Sequence, residues 1–373
     1  MAQVYCETPS AELCARRAGN MRELTQLGAT PVRRVNPLEE PNWNGILPVH
    51  PDRSFFHLSE WARVLQETYR YAPGYFTLNE GGLLQGLLPI MEVDSWLSGR
   101  RGVGLPFTDL CNPLVPDSSA FQRLVGEAVE YGAGRHWKYL ELRGGRSLLP
   151  SARASQKYYG HELSLVDDEQ GLFAGLKGSV RRAIRKAEKL GLRVEILRDL
   201  EALREFYTLQ CGTRRKHGLP PQPFRFFLKI HEHILSREKG LVVLARRGRR
   251  TVAGAVFFHF GEQAIFKYGA SNVAHQGLRG NDLVMWEALK YYASHDFRLL
   301  HLGRTSLANE GLRRFKLAWG AREHIIEYLR YDLKLQAFVA GKDDAFGWYN
   351  RCFRLLPIGV SRLIGALLYR HAA

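Results

Sequence analysis

The chain has 373 residues, 45% of them hydrophobic and 24% charged, a globular composition that excludes a disordered chain and is long enough to favour two domains over one. Lys and Arg number 53 against 37 Asp and Glu, a formal charge of +16 with a pI near 9.8, which favours polyanionic partners such as tRNA, nucleotide phosphates or anionic lipid without choosing among them. Cys6, Cys14, Cys111, Cys211 and Cys352 stand far apart with no C-x-x-C and no His at ligand spacing, a pattern that argues against a zinc site or a disulfide framework and expects a reducing compartment.

The N-terminal stretch MAQVYCETPSAELCARRAGNMRE carries charges where a signal peptide needs an apolar run, and no stretch approaches the about 20 apolar residues of a membrane span. A cytoplasmic protein is expected. Residues 74–95 read as two strands around a glycine-containing turn, followed by the Pro/Gly-marked segment GVGLPFTDLCNPLV. Apolar residues then recur at helical spacing from Ser119 to Gly134, and WKYLELRGG alternates like a strand.

The second half repeats this order. LVVLARRGRRTVAGAVFFHF reads as a hairpin around Gly248, QAIFKYGAS as a strand, HQGLRG as a loop, NDLVMWEALKYYASH as a helix and FRLLHLGRT as a strand. Strand, loop, helix, strand is a parallel βαβ unit, and a preceding hairpin makes each sheet mixed; this is the order of the GNAT acyltransferase core. The fold class expected is α/β with mixed α+β sheets, in two tandem GNAT-like domains. The expected boundaries are an N-terminal extension at 1–45, a first domain at 46–165, a second at 166–335 that includes a basic helical connector at 166–238, and a C-terminal basic amphipathic segment at 336–373.

In the connector, Leu176, Val180, Ile184 and Ala187 share one helical face while Lys177, Arg181, Arg185 and Lys189 form a row on another. From Lys177 to Lys216 there are twelve Lys/Arg and five Asp/Glu, so +7 of the chain's +16 falls in forty residues. Arg181 and Arg185 are therefore candidate donor or phosphate ligands. The segment from Thr213 to Pro220 reads as a basic turn, with Arg214 and Lys216 able to grip phosphate or to serve as a solvated loop. At the end, WYNRCFRLLPIGVSRLIGALLYRHAA mixes large apolar residues with arginines and no acid, suited to an anionic membrane surface or to docking on the core, with Pro357 as an interruption.

Several positions can carry chemistry. The loop Ala274–Gly280 runs into Asn281 and a long helix; Gln276, Arg279, Gly280 and Asn281 either seat a phosphate or form an ordinary turn, and the loop matches the usual GNAT Q/R-x-x-G-x-G/A pattern only loosely. Lys316, beside Phe315 and a Trp-Gly turn, either stabilises a developing oxyanion or is a solvated lysine. Arg304 closes a strand at a presumed cleft or pairs with a carboxylate. Tyr268 donates a proton or packs, His301 binds substrate or is structural, and Asp109 holds substrate or caps its own turn.

SFFHLSEW at Ser54–Trp61, SVRRAIRKAEKLG, TRRKHGLPPQP, FKYGASN…LRGNDLVMWEALKYYASHDFRLLHLGRT and RRFKLAWGA together resemble the Fem peptidyltransferase family and its acetyltransferase-like relatives, over roughly residues 55 to 335. The resemblance implies paired GNAT domains and, as in the best-understood members, transfer of amino acids from aminoacyl-tRNA to the stem peptide of lipid II. Similar proteins are associated with exopolysaccharide and protein-sorting systems. By resemblance Lys316 is the lysine that stabilises the reacting acyl group, and Arg304 falls in a strand-end Asp-x-Gly-Arg-like pattern in which His301 stands where an acid is common. The long helical hairpin of some tRNA-using members is missing.

The sequence thus predicts an aminoacyl or acyl transferase with Lys316 and Tyr268 as catalytic candidates, and Arg304, His301, Phe315, Asp109, Arg214 and Lys216 as substrate-binding ones. No tightly bound cofactor or metal is expected. Aminoacyl-tRNA or acyl-CoA is the co-substrate, a phosphate-bearing envelope precursor the acceptor, and the inner membrane a peripheral contact. The rival functions are an acyl-CoA-dependent N-acyltransferase of exopolysaccharide synthesis and a non-catalytic polyanion-binding protein.

Overall fold

The computed structural model describes residues 31–165, 168–341 and 353–371. The first half holds β1 (Val32–Val35), α1 (Trp43–Ile46), α2 (Ser59–Tyr69), β2 (Ala72–Pro73), β3 (Tyr75–Glu80), β4 (Leu83–Leu88), β5 (Met91–Val93), β6 (Arg101–Val103), α3 (Ser118–Gly134), β7 (Tyr139–Leu142) and β8 (Ala154–Ser164). Then come α4 (Glu169–Gly175), α5 (Gly178–Lys189), β9 (Arg193–Leu197), α6 (Leu200–Lys216) and α7 (Phe224–His233). The second half holds β10 (Gly240–Arg247), β11 (Arg250–Phe260), β12 (Gln263–Ser271), α8 (Gly280–Ala293), β13 (Leu299–Ser306), α9 (Glu310–Ala318), β14 (Arg322–Asp332) and β15 (Ala337–Phe338), and α10 (Ile358–Leu368) follows.

Local chemistry explains the main elements. The Asp117 carboxylate accepts the Ala120 N–H and starts α3, whose Phe121, Leu124, Val125 and Ala128 are buried at helical spacing. Asp199 caps α6 in the same way. In α5 the predicted stripe is found: Val180, Ile184 and Ala187 are buried, as is Leu176 just before the helix. Lys177, Arg185 and Lys189 are exposed and Arg181 is partly covered.

The repeat read from the sequence is present as two βαβ units. β6 and β7 are parallel with Gly102 opposite Leu140, and β12 and β13 are parallel with Gln263 opposite Leu299. The halves then exchange their last strands. β8, from the first half, pairs with β13 of the second, while β14 pairs with β7 of the first, and β8 and β14 lie side by side. One sheet therefore runs β2-β5-β6-β7-β14-β8-β13-β12-β11-β10-β9 across the whole molecule, with β15 on β14.

Some expectations need correction. Residues 1–45 are not simply an extension, since β1 pairs with β3 and Trp43 is buried in the first half's core; residues 1–30, with Cys6 and Cys14, lie outside the described residues. The hairpin β3–β4 leaves the main sheet and joins β1 in a three-stranded sheet; Pro89, which has no N–H to offer a ladder, separates it from β5. The connector 166–238 is not wholly helical, because β9 adds an edge strand beside β10. Thr213–Lys216, expected in a turn, are the last turn of the 17-residue α6. Pro357 does interrupt the C-terminal segment, standing immediately before α10, but residues 342–352, including Cys352, lie outside the described residues. Cys111 and Cys211 are free and buried.

The core itself joins the halves. Trp61 of α2 is fully buried and meets Phe55 and Phe56 from its own half and Phe226 and Phe258 from the other, at ring separations of 5.5–6.4 Å. Trp61→Ala is expected to cost about 3–5 kcal/mol through lost burial and a residual cavity. Because β8 and β14 are exchanged, the two halves should still unfold in one transition, with near- and far-ultraviolet circular dichroism coinciding in urea; two separated transitions would show that the halves fold independently.

Candidate active site

The site arises where the second βαβ unit opens. Pairing of β12 with β13 ends at Ile265 opposite His301, although the strands continue to Ser271 and Ser306. Beyond that point β12 is paired only with β11, and β13 bulges at Gly303 before rejoining β8 at Arg304. Gly303 has φ +70, a left-handed conformation that glycine adopts without strain.

The gap is the floor of a cavity of about 440 Å³. Asp109, Tyr268, Arg304, Phe315 and Lys316 line it, with Arg214, Lys216, Gln276 and Asn281 further along. Nine of the fourteen residues singled out in the sequence therefore meet in one place. The lining contains five cations (Arg214, Lys216, Lys267, Arg304, Lys316) and a single carboxylate, Asp109.

Asp109 comes from the first half and anchors this cluster. Its carboxylate lies 3.2 Å from Lys267 Nζ and 3.8 Å from Arg304 Nε. It also sits over Gly303, where an added Cβ would come within 3.3 Å of its Oδ2. Burial alone would raise its pKa, but Lys267, Arg304 and Lys316 together hold the carboxyl below the usual range. Its backbone carbonyl accepts the Tyr328 hydroxyl at 2.6 Å.

Lys316 lies in α9, not in the Trp-Gly turn that follows, and is 2% exposed. Its Nζ donates to Gly303 O at 2.8 Å and to Arg304 O at 3.3 Å, leaving the third of its donors for the cavity. Burial pushes its pKa down to about 8, with Asp109 opposing. Arg304 is held by Tyr328, whose hydroxyl accepts from its Nη1 at 2.8 Å, and lies 4.4 Å over the Tyr158 ring. The Tyr268 ring packs on Phe226 and Phe227, and burial drives its phenol pKa well up, so it stays protonated at neutral pH and can donate a hydrogen bond but not act as a base.

A second cavity, of about 670 Å³, shares Asp109 and Gly303 with the first. His301 lines this one, with its Nδ1 3.5 Å from Glu162 and its Nε2 3.3 Å from Gln263 Oε1. Its lining carries Asp52, Asp109, Glu162 and Glu327 against Arg146, plus the imidazoles of His161, His301 and His324. The two cavities thus have opposite charge and touch at the residue that joins the two halves.

Four candidates do not reach either cavity. Gly280 is buried, with Ala253 so close that a Cβ would meet it at 2.9 Å, and Arg279, in the left-handed conformation, precedes α8 outside the lining. Arg181 and Arg185 lie on α5, with Arg185 over the Phe173 ring at 5.4 Å. The start of α5 is nonetheless tied to the end of α9, since Lys177 N–H donates to Ala318 O at 3.1 Å. In the first half the matching gap beyond Val103 opposite Glu141 is filled: Arg143, ion-paired to Glu141 at 2.9 Å, donates to Leu105 O and Thr108 O.

Sequence reasoning missed Lys267, Arg143 and Tyr328. Lys267 was detectable as a lone cation inside the apolar strand AIFKYGA; its side chain is 5% exposed and donates to Phe107 O at 2.7 Å, and desolvation lowers its pKa despite Asp109. Arg143 and Tyr328 become meaningful only once the strands are placed.

Residues 175–321 match the family model of an acetyltransferase (GNAT) domain. The fold is similar to that of FemX, with a TM-score of 0.66 and 14% identity, covering 82% of this chain and 98% of FemX. It is similar also to a tandem GNAT protein from the clavulanic acid biosynthesis pathway (TM-score 0.54, 11% identity, 81% and 98% covered). A third likeness is to the C-terminal domain of a putative lysylphosphatidylglycerol synthetase from Agrobacterium fabrum (0.51, 16%, 72% and 86%). No curated protein matches the sequence. The chain is an acyltransferase built of two tandem GNAT-like halves with a FemX-like fold.

The charge cluster gives two tests. Asp109→Asn leaves three cations facing one another in a partly buried site and is expected to destabilise by about 1–3 kcal/mol in urea titrations. Lys316 holds its proton less tightly folded than unfolded, so wild-type stability should rise relative to Lys316→Met as pH increases from about 8 towards the ordinary lysine value of 10.5. A flat difference between the two proteins over that range would remove Lys316 from its buried, partly neutral state.

Proposed function

We propose that the protein moves an aminoacyl or acyl group from a phosphate-bearing carrier to an amine of a cell-envelope precursor, a peptidoglycan stem peptide or a related glycan, in the cytoplasm. The observation that carries this reading is the meeting of a basic and an acidic cavity at Asp109 and Gly303. Phosphates of a donor, or of a precursor, suit Arg214, Lys216, Gln276 and Asn281 on the basic side, because guanidinium and ammonium groups bind phosphate oxygens strongly. An amine suits the side lined by Asp52, Glu162 and Glu327.

In this reading the amine nitrogen attacks the acyl carbonyl beside Gly303, the N–C bond forms, and the bond from the acyl carbon to the carrier breaks. The amine proton leaves with the carrier's oxygen or sulfur. Negative charge develops on the carbonyl oxygen, and Lys316, already oriented by two main-chain carbonyls, meets it without reorganisation. Tyr268 stays protonated and lines the same cavity. Arg304 is too well fixed by Tyr328 and Tyr158 to move, which suits a positioning charge.

An acyl-CoA donor is the second reading, for an N-acyltransferase of exopolysaccharide synthesis. It is favoured by the GNAT domain match and by the unpaired edge of β12 running towards the start of α8. Against a phosphate at that helix start stands Asp282 in its first turn, whose carboxyl burial has raised. The resemblance to Fem proteins supports the tRNA reading.

Ligand-induced stabilisation separates these readings. A rise in melting temperature with charged tRNA and a soluble lipid II analogue supports the first, and one with coenzyme A or acetyl-CoA alone supports the second. Tight, salt-sensitive RNA binding with no transfer would leave a polyanion-binding protein. Lys316→Ala is expected to lower turnover about 10²–10³-fold, or ~2.7–4 kcal/mol, with an unchanged circular dichroism spectrum; full turnover in that variant would falsify the assigned role.

A further inference from the structure

The C-terminal helix turns large apolar side chains outward. Inward, Ser361 and Gly365 are buried, and a side chain at Gly365 would run into the Pro221 carbonyl. Outward, Val360, Leu363 and Leu367 recur at helical spacing, with Leu363 64% and Leu367 63% exposed. A helix lying on a protein surface normally turns polar residues outward, so an outward apolar stripe of this kind suits a covering partner.

A second exposed apolar segment is tied to the end of the same helix. Trp96 and Leu97, in the turn between β5 and β6, are 84% and 57% exposed. That turn is fastened to the end of α10: His371 Nδ1 bonds Ser95 Oγ at 2.8 Å, Arg101 and Ser98 donate to His371 O, and the Trp96 ring lies 5.5 Å from the His371 ring. Two separate parts of the chain that expose large apolar side chains are thus fastened to each other at His371.

Charge selects what covers it. From Ala345 to the end the sequence has no Asp or Glu. Arg354, Arg362 and Arg370 are exposed about the helix. We propose that this surface, made of the outer face of α10 and the Trp96–Leu97 turn, lies in the headgroup region of a bilayer rich in anionic phospholipid. An apolar stripe dipping to the acyl boundary with cations at headgroup level is what such an interface binds, and tryptophan favours that depth. A second copy of this chain fits less well, because paired α10 helices would bring their arginines together with no acid to answer them.

The anchor lies close to the active site. Tyr369, at the end of α10, accepts from Arg214 Nη2 at 2.6 Å, and Arg214 lines the basic cavity. A protein held on a bilayer through α10 therefore brings that cavity near the membrane. The docking surface does not depend on which group is transferred.

Co-sedimentation of the full chain with vesicles tests it. Vesicles of phosphatidylcholine mixed with phosphatidylglycerol are expected to retain the protein, pure phosphatidylcholine vesicles much less, and added salt to weaken binding. Leu363→Glu with Leu367→Glu should lower the bound fraction by about tenfold or more, as should Trp96→Ser in part, with melting temperature unchanged because all three side chains are exposed. Absence of binding by the wild-type chain, equal binding to both vesicle types, or equal binding by the double variant each overturns the proposal. So does a concentration-dependent dimer in size-exclusion chromatography that the double variant abolishes, which would assign the surface to a second copy.

Discussion

Asp109 is the single carboxylate in a cavity lined by five cations, and it is the point at which the first half of the chain enters the chemistry of the second. Without it, Lys267, Arg304 and Lys316 would face one another across a space that shields them poorly. Its ion pair with Lys267 fixes the loop after β6 against β12, and its position over Gly303 demands a residue without a side chain there. The bulge that Gly303 allows turns two carbonyls towards Lys316. Charge balance, backbone geometry and the placing of the candidate catalytic lysine thus follow from one interaction between the halves.

The exchange of β8 and β14 explains why such an interaction is dependable. Had each half completed its own sheet, the distance between Asp109 and Arg304 would depend on a domain interface free to shift. With β14 between β7 and β8, and β8 beside β13, that distance is set by sheet hydrogen bonding. The two βαβ units leave two equivalent gaps, and these differ. In the first, Arg143 satisfies the carbonyls of Leu105 and Thr108 and is neutralised by Glu141; in the second, the corresponding strand edge is open and the cations around it are only partly balanced. The first half closes its own gap and lends one carboxylate to the basic cavity, while the gap of the second half stays open.

The repeated βαβ order was legible because it rests on local signals: glycine-marked turns, a period of two in FRLLHLGRT and a helical period in NDLVMWEALKYYASH. Strand exchange was not, since nothing in YLEL or in REHIIEYLRYD records which neighbour each will take. Lys316, Arg304, Tyr268 and Asp109 could be singled out one at a time, and the structure brings them together. The charge run of α5 drew attention to Arg181 and Arg185, yet a helix that buries Val180, Ile184 and Ala187 must turn its cations away from the core. Lys267 went the other way: a lysine in an apolar strand looks like a surface residue until a carboxylate from a distant loop is found beside it.

The charge excess has in consequence two separate roles. Cations on the outer face of α5 face solvent and act only at the range of the Debye length, a field that fixes no ligand in position. Those in the cavity are few and held: Arg304 by Tyr328 and Tyr158, Lys316 by two carbonyls, Arg214 by Tyr369 and Pro220. Only such fixed charges lower a barrier, because a flexible lysine must be ordered during the reaction and loses in entropy what it gains in attraction. The burial that lowers the Lys316 pKa is part of the same arrangement: a weakly solvated ammonium, fixed by two carbonyls, interacts more strongly with any anion placed beside it than a solvated one does.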